Sequence, residues 1–143
     1  MLFLLILSGL FYPLIERTLL IYSLKQVPLS TSFGTLFCER VDRTYNFLKT
    51  VEYLKNQTAP DSKVVVFPEG ILINLLSGRK NPLRYAEFLP HGIERFSEDR
   101  LIREMEEQGT DYIVLLNLQT VPYEFHYFGI DYAVKIMNWI WAN

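Results

Sequence analysis

The stretch KVVVFPEGILINLLSG, residues 63–78, decides the fold that we expect for this chain. Three consecutive valines and Phe67 form a short, continuously apolar run, which is typical of a strand buried in a parallel sheet. The turn at Pro68, Glu69 and Gly70 leads into a second apolar run at helical spacing. That run ends at Gly78, and glycine commonly ends helices. The stretch therefore predicts a buried strand followed directly by a short helix.

Two amphipathic helices are predicted on either side of this stretch. The first has apolar residues at three- and four-residue steps before a turn over 58–61, and these are Val41, Tyr45, Leu48, Val51 and Leu54. The second is expected to begin at Ser97, because a serine hydroxyl suits a helix N-terminus, and to end at Gly109. Both helices have a polar face, as expected for helices that pack on a sheet.

The C-terminal part of the chain completes the predicted fold. It contains a second buried strand over 111–116, a shorter strand over 123–128, and a last helix that Asp131 caps and that runs through Trp141. Because helices and strands alternate along the chain, successive strands need crossover connections, which favour parallel pairing. The fold class that we expect is α/β, with a small, mostly parallel sheet flanked by helices and preceded by one N-terminal membrane helix.

That membrane helix is predicted over 1–24. This segment carries only two charges, Glu16 and Arg17, and residues 1–15 carry none. Such a length is sufficient to cross a bilayer as a helix, with the charge pair at the headgroup layer. We therefore expect the last span of a larger protein over 1–24, a connector over 25–40 and an extracytoplasmic α/β domain over 41–143. The expected location is the cell membrane, with a single span.

A cleaved signal peptide and a buried or interfacial helix are the alternatives for the same segment. The signal peptide is disfavoured because no basic residue precedes the apolar run and no small-residue cleavage site follows it. A core helix is disfavoured because such helices seldom lack a polar face over four turns.

Composition and residue spacing argue against several classes of function. The 143 residues, 50% of them hydrophobic, suit one compact domain, and a net charge of −2 argues against nucleic-acid binding. Cys38 is the only cysteine, so the chain has no internal disulfide. The two histidines, His91 and His126, have no second ligand at a recurrent metal spacing, and no glycine-rich phosphate loop is present. We therefore expect neither a metal nor a cofactor.

Basic residues follow the first predicted strand and its short helix. In parallel α/β sheets, ligands bind beyond the carboxyl ends of the strands, which here selects 67–70 together with 77–85, and 117–124. The first segment holds Arg79, Lys80 and Arg84 within six residues. A guanidinium suits a phosphate or a carboxylate because its planar fork binds two oxygens together. An anion-binding loop is therefore one hypothesis for this segment.

A structural role for these charges is the hypothesis that the sequence favours. Arg84 would then pair with Glu69 or Glu87 and only fix the loop, as most charge clusters do.

The FPEG string at 67–70 also resembles a block of glycerol-phosphate acyltransferases. Those enzymes need a His-x4-Asp pair, in which the carboxylate orients the imidazole as a base. His126 and Asp131 have this spacing, but they follow the FPEG string, whereas the family places the pair well before it. An acyltransferase-like enzyme is therefore the third hypothesis.

A series of short segments, taken in order, carries a second resemblance. The segments are Thr31-Ser32-Phe33-Gly34-Thr35, Tyr53-Leu54, Thr58-Ala59-Pro60, Val65-Val66-Phe67-Pro68-Glu69-Gly70, Asn74, Gly78-Arg79, Asn81-Pro82, Arg84-Tyr85, Phe88-Leu89-Pro90, Asp111-Tyr112-Ile113-Val114, Phe128-Gly129 and Asp131-Tyr132. Their order is similar to the C-terminal extracytoplasmic α/β domain of bacterial polytopic GT-C glycosyltransferases, which are related to protein O-mannosyltransferases and aminoarabinose transferases. The resemblance covers most of the chain from Thr31 onward.

This resemblance implies part of a glycosyltransferase that uses a polyprenyl-phosphate-linked sugar. The family's catalytic carboxylate lies in an early loop between membrane helices, so no catalytic residue is assigned here. The substrate-binding candidates are Glu69, Arg79, Asn81, Arg84 and Tyr85. The implied partners are the lipid bilayer, the lipid-linked sugar and a multi-span transferase body. A standalone membrane-anchored binding or interaction domain is the alternative function.

Overall fold

The computed structural model describes residues 2–31 and 34–143, with side chains from residue 11 onward. Met1, and Ser32 and Phe33 of the family-like segments, lie outside the described residues. The chain divides into two compact units, Met1–Lys49 and Thr50–Asn143. This division lies within a helix, whereas the sequence predicts a domain that begins at residue 41.

The first unit contains a helix and a β-hairpin. Helix α1 spans Leu2–Leu24, and strands β1 (Lys25–Thr31) and β2 (Gly34–Glu39) pair antiparallel, with Leu29 opposite Leu36. The segment expected to be a connector thus forms a hairpin. Proline is tolerated in β1 because both strands of a two-stranded sheet are edges.

The predicted membrane helix is wrong. Among the residues that the structure describes, no helix is long and apolar enough to cross a membrane. Glu16 and Arg17 lie inside α1, eight and seven positions before its end at Leu24, and Pro13 also lies within it. The uncharged residues before Glu16 fall short of the roughly 20 apolar residues that a helical span requires.

The second unit is built around a parallel pair of strands. Helix α2 spans Asp42–Gln57 and ends in this unit, where β3 is followed by three helices, β4, a short 3₁₀ turn and a last helix. Their bounds are β3 Val64–Phe67, α3 Ile71–Ser77, α4 Pro90–Phe96, α5 Glu98–Gln108, β4 Tyr112–Leu115, the 3₁₀ turn Val121–Tyr123 and α6 Val134–Ala142. Strands β3 and β4 pair in parallel, with Val65 opposite Ile113.

The prediction of a single, mostly parallel sheet is wrong. The described strands form two separate pairs, one antiparallel and one parallel, so the chain is α/β but has no larger, mostly parallel sheet. The strand predicted over 123–128 is wrong, because Tyr123 ends a 3₁₀ turn and irregular chain follows. Asp131 does not cap the last helix, since α6 begins after Ala133, which has left-handed backbone dihedrals.

The core of the second unit surrounds β3. All four residues of this strand are buried, as the continuous apolar run predicts. The Phe67 ring lies with its centroid 4.7 Å from that of Phe88 and 4.8 Å from that of Phe128. Leu101 and Met105 of α5, and Ile136 of α6, are fully buried in the same unit. This packing fixes the carboxyl end of β3, from which the candidate site extends.

Candidate functional site

The turn after β3 requires glycine for a steric reason. A Cβ atom on Gly70 would lie 2.0 Å from Cγ1 of Val66, which is far inside van der Waals contact. The Phe88 amide donates to the Pro68 carbonyl at 2.7 Å, and Glu69 forms an isolated antiparallel bridge with Glu87. The side chain of Glu69 is exposed. The turn therefore brings segment 87–88 alongside the end of the strand.

Arg79 has a structural role, because its side chain donates hydrogen bonds within the protein. It is only 8% exposed, and its Nη2 donates to the carbonyls of Leu54, Lys55 and Thr58 at 2.9, 3.0 and 2.9 Å. Its Nε donates to Thr58 Oγ1 at 2.7 Å, and its Nη1 donates to the Ser77 carbonyl. The carbonyls of Leu54, Lys55 and Thr58 lie at the C-terminal end of α2, where a cation is favoured. Because its donors are occupied, we do not include Arg79 among the ligand-binding groups.

Asn81 holds the shape of the loop after Arg79. Its Nδ2 donates to the Tyr85 carbonyl at 2.7 Å, and its Oδ1 accepts from the Leu83 amide at 3.1 Å. An asparagine side chain commonly closes a turn in this way. Asn81 therefore positions Arg84 and Tyr85, the next two candidates along the chain.

Arg84 remains accessible in this loop. Its Nε lies 3.5 Å from Glu104 Oε1, and its backbone amide donates to the same oxygen at 3.2 Å. The Arg84 side chain is 73% exposed, whereas that of Glu104 is 12% exposed. The carboxylate partner is thus on α5 and is neither Glu69 nor Glu87, the two partners considered from the sequence. The loop is fixed at its backbone while the guanidinium faces solvent.

An open groove brings four of the five predicted residues together. It has a volume of about 610 Å³ and is lined by Ile71, Asn74 and Leu75 of α3, by residues 78–81 and by residues 83–86. Arg79, Asn81, Arg84 and Tyr85 are thus among its lining residues, and Glu69 is not. Of the described residues that line this groove, three are cationic and none is acidic. We call this feature the Arg84 groove.

The Arg84 groove also has an apolar wall. Ile71 and Leu75 lie one turn apart on α3 and are 51% and 53% exposed. Lys80 is exposed as well, and its backbone pairs with Ser62 and Val64 beside β3. Sequence reasoning placed Ile71 and Leu75 on the short helix but did not include them among the site candidates. The groove therefore combines exposed aliphatic side chains with accessible cations.

A second depression adjoins the groove. Its volume is about 350 Å³, and it shares Arg84, Tyr85 and Ala86 with the groove. The rest of its lining comes from Glu87 and from residues of α4, including His91. We call this feature the α4 depression. Sequence reasoning missed it because helix α4 was not predicted.

The second segment selected from the sequence, 117–124, contains no lysine or arginine and so does not repeat the basic cluster of 79–84. Beyond it, the His126 backbone amide donates to Asp131 Oδ2 at 2.6 Å, so this carboxylate binds a main-chain group. In an acyltransferase pair, the carboxylate would contact the imidazole instead. Among the described residues, no group of three or more His, Cys, Asp or Glu side chains is arranged to hold a metal ion.

Shifted pKa values occur outside the groove. Burial raises the pKa of Tyr132 above its ordinary value, although the neighbouring Thr120 hydroxyl acts in the opposite direction. A hydrogen bond between the Lys135 ammonium and Asp99 lowers the pKa of that carboxyl and raises the pKa of the lysine. Both members of this pair are exposed, so the pair links α5 to α6 with little energetic effect.

No family model, curated protein or solved structure matches this chain. The resemblance to GT-C glycosyltransferases therefore stays a prediction from the sequence segments alone.

Proposed function

We propose that the second unit binds a polyprenyl-phosphate-linked sugar at the Arg84 groove, as a non-catalytic part of a glycosyltransferase that shapes or covers the substrate site. The observation that carries this proposal is the amphiphilic lining of the groove. Exposed aliphatic side chains lie beside exposed cations, without an acidic side chain among the described lining residues. A phosphorylated isoprenoid combines the two complementary chemistries in one molecule.

The anionic phosphate is assigned to Arg84 and Lys80. Arg84 presents a largely exposed guanidinium, whose Nε lies 3.5 Å from Glu104 Oε1. The planar fork of a guanidinium suits two phosphate oxygens together. Lys80 supplies a second positive charge on the same lining. The chain carries a net charge of −2, so any attraction for an anion arises from this local arrangement and not from the whole protein.

The isoprenoid chain is assigned to the α3 wall. Covering Ile71 and Leu75 removes apolar surface from water, at about 25 cal/mol per Å² buried. Their exposure of about one half leaves such surface available. Apolar contact without a cation would not distinguish a lipid phosphate from a lipid alcohol, so both parts of the groove are needed for selectivity.

Titration of the full chain in non-ionic detergent micelles tests this proposal. Three probes are compared, namely polyprenyl phosphate, the matching polyprenol and inorganic phosphate. We expect polyprenyl phosphate to bind at least about tenfold more tightly than either other probe, since one charged hydrogen-bonding contact supplies that difference. Equal binding of the phosphate and the alcohol would contradict the role of the cations. Equal binding of lipid phosphate and inorganic phosphate would contradict the role of the apolar wall.

A binding or interaction domain without an attached transferase is the second candidate. Two large apolar side chains favour it, because Ile130 and Trp141 are exposed and are not among the lining residues of the groove. Exposed apolar surface marks interaction sites in many proteins. A multi-span transferase encoded in the same or the adjacent reading frame would favour the first candidate, and an unrelated gene neighbourhood would favour the second.

A further inference from the structure

We propose that the α4 depression binds the sugar of the lipid-linked donor, so that the ligand lies across Arg84 with its isoprenoid chain on α3 and its sugar on the α4 side. This inference rests on the proposed function, and it assigns a separate subsite and an orientation for the ligand. It starts from the fact that the groove and the depression meet at Arg84, Tyr85 and Ala86.

The Arg84 groove and the α4 depression differ in chemistry, as do the isoprenoid end and the sugar end of such a ligand. The Arg84 groove has exposed aliphatic side chains and no acidic residue among its described lining. The α4 depression instead carries Glu87, His91 and Arg95, which provide an acceptor, a ring that both donates and accepts, and a donor. Sugar hydroxyls donate and accept hydrogen bonds, so a mixed lining of this kind fits them.

Glu87 favours the sugar over the phosphate in the α4 depression, where it offsets the positive charge of Arg95, whereas the Arg84 groove has cations without an acidic residue in its described lining. A carboxylate repels a phosphate, whereas its two oxygens accept hydrogen bonds from neighbouring hydroxyls. The Glu87 side chain is exposed, and its backbone is held against Glu69 beside the end of β3. The phosphate is therefore favoured at Arg84, and the neutral, hydroxyl-rich sugar is favoured next to Glu87.

The floor of the depression is fixed in position. The rings of Tyr85 and Phe96 stack with their centroids 3.5 Å apart, and the Arg95 guanidinium carbon lies 6.0 Å from the Phe96 ring centroid. Asn81 holds the Tyr85 backbone from the groove side. A volume of about 350 Å³ lies within the usual range of small-molecule sites. A positioned floor of this size supports binding of a small polar group and needs no rearrangement of the loop.

The test compares two lipids on the full chain in the same micelles: polyprenyl phosphate, and polyprenyl phosphate bearing one hexose. We expect the hexose-bearing lipid to bind about tenfold more tightly, as one charged hydrogen-bonding group would provide. Glu87→Ala and the isosteric Glu87→Gln should both reduce that preference to within about twofold, while leaving the affinity for the bare lipid phosphate unchanged. Glu94→Ala is the matched control, because Glu94 is an exposed glutamate on α4 that does not line the depression.

The outcomes separate this inference from the proposed function. If the wild-type chain binds both lipids equally, or if the Glu87 variants keep the preference, the sugar subsite is refuted and the lipid-phosphate groove stands. If the wild-type chain binds neither lipid, the proposed function fails and the subsite fails with it. Unchanged urea unfolding midpoints for the Glu87 variants will show that a lost preference does not come from misfolding.

Discussion

The guanidinium of Arg79 donates from Nη2 to the main-chain oxygen of Leu54 at 2.9 Å and thereby joins the loop after α3 to the C-terminal end of α2. The same nitrogen also donates to the carbonyls of Lys55 and Thr58 at the C-terminal end of α2. The last carbonyls of a helix have no partners within the helix, and a buried carbonyl without a partner is costly. Arg79 thus replaces missing backbone hydrogen bonds.

Arg79→Lys is expected to lower the free energy of unfolding by about 2–4 kcal/mol, because one ammonium cannot reproduce the fork of five donors and leaves part-buried carbonyls at the end of α2 with fewer donors. Urea unfolding followed by circular dichroism measures the change. Arg84→Lys is the matched control, and since Arg84 is exposed we expect a change below about 1 kcal/mol. Equal destabilisation by the two variants would contradict the structural role of Arg79.

Gly70→Ala is expected to destabilise the second unit by about 1–3 kcal/mol, because the new methyl group would overlap the Val66 side chain. Gly70 has an extended φ of −168°, so the loss has a steric cause and not a dihedral one. The double variant Gly70→Ala with Val66→Ala tests this cause, since truncating Val66 makes room for the methyl group. Its destabilisation should be smaller than the sum of the two single variants, and strict additivity would refute the steric explanation.

Tyr132→Phe is expected to leave stability at neutral pH unchanged or to raise it by about 1 kcal/mol, because a buried hydroxyl without a partner is removed. Among the described residues, the Tyr132 hydroxyl has no hydrogen-bond partner, and the Thr120 hydroxyl beside it donates to the Phe125 carbonyl. A loss of more than about 2 kcal/mol, which is typical of a deleted buried hydrogen bond, would contradict this assignment.

The same variant has a predicted pH dependence. Burial raises the pKa of Tyr132, so the unfolded chain releases this proton before the folded chain does. Below about pH 10, the usual tyrosine pKa, the group is neutral in both states, and as the pH rises above this value the folded state becomes less stable because burial opposes ionisation. Wild-type stability should therefore fall more steeply than that of Tyr132→Phe between about pH 9.5 and 11. Parallel curves in urea unfolding over this range would contradict the pKa shift.

The local patterns in the sequence predicted the second unit well where apolar periodicity is strong. The helices before 58 and between Ser97 and Gly109 are present as α2 and α5, and the strands at 63–67 and 111–116 are present as β3 and β4. The prediction that the second strand is buried is wrong, because Tyr112 and Leu115 at the ends of β4 are 40% and 42% exposed. Helix α4 was missed, although Pro90 stands at its first turn, where proline favours a helix start. The hairpin over 25–39 was missed because Pro28 and neighbouring polar residues suggested irregular chain.

The roles of the site residues were harder to predict, because contacts distant in sequence decide them. Arg79 and Arg84 lie in the same loop and have the same side chain. One is buried against carbonyls about 25 positions earlier in the chain, and the other pairs with a carboxylate 20 positions later. No local spacing distinguishes these two outcomes. The apolar wall of the groove was equally hidden, since the exposure of Ile71 and Leu75 depends on what packs against α3.

The affinity of the full chain for polyprenyl phosphate, measured for wild type, Arg84→Gln and Lys55→Gln by calorimetric titration in the same micelles, tests the central claim most directly. Lys55 is an exposed cation of α2 that does not line the groove, so its variant removes the same charge elsewhere. We expect Arg84→Gln to weaken binding by about tenfold or more and Lys55→Gln to change it by less than about twofold. Equal affinities for the two variants, or no binding by the wild-type chain, would contradict the claim that this groove binds a lipid phosphate.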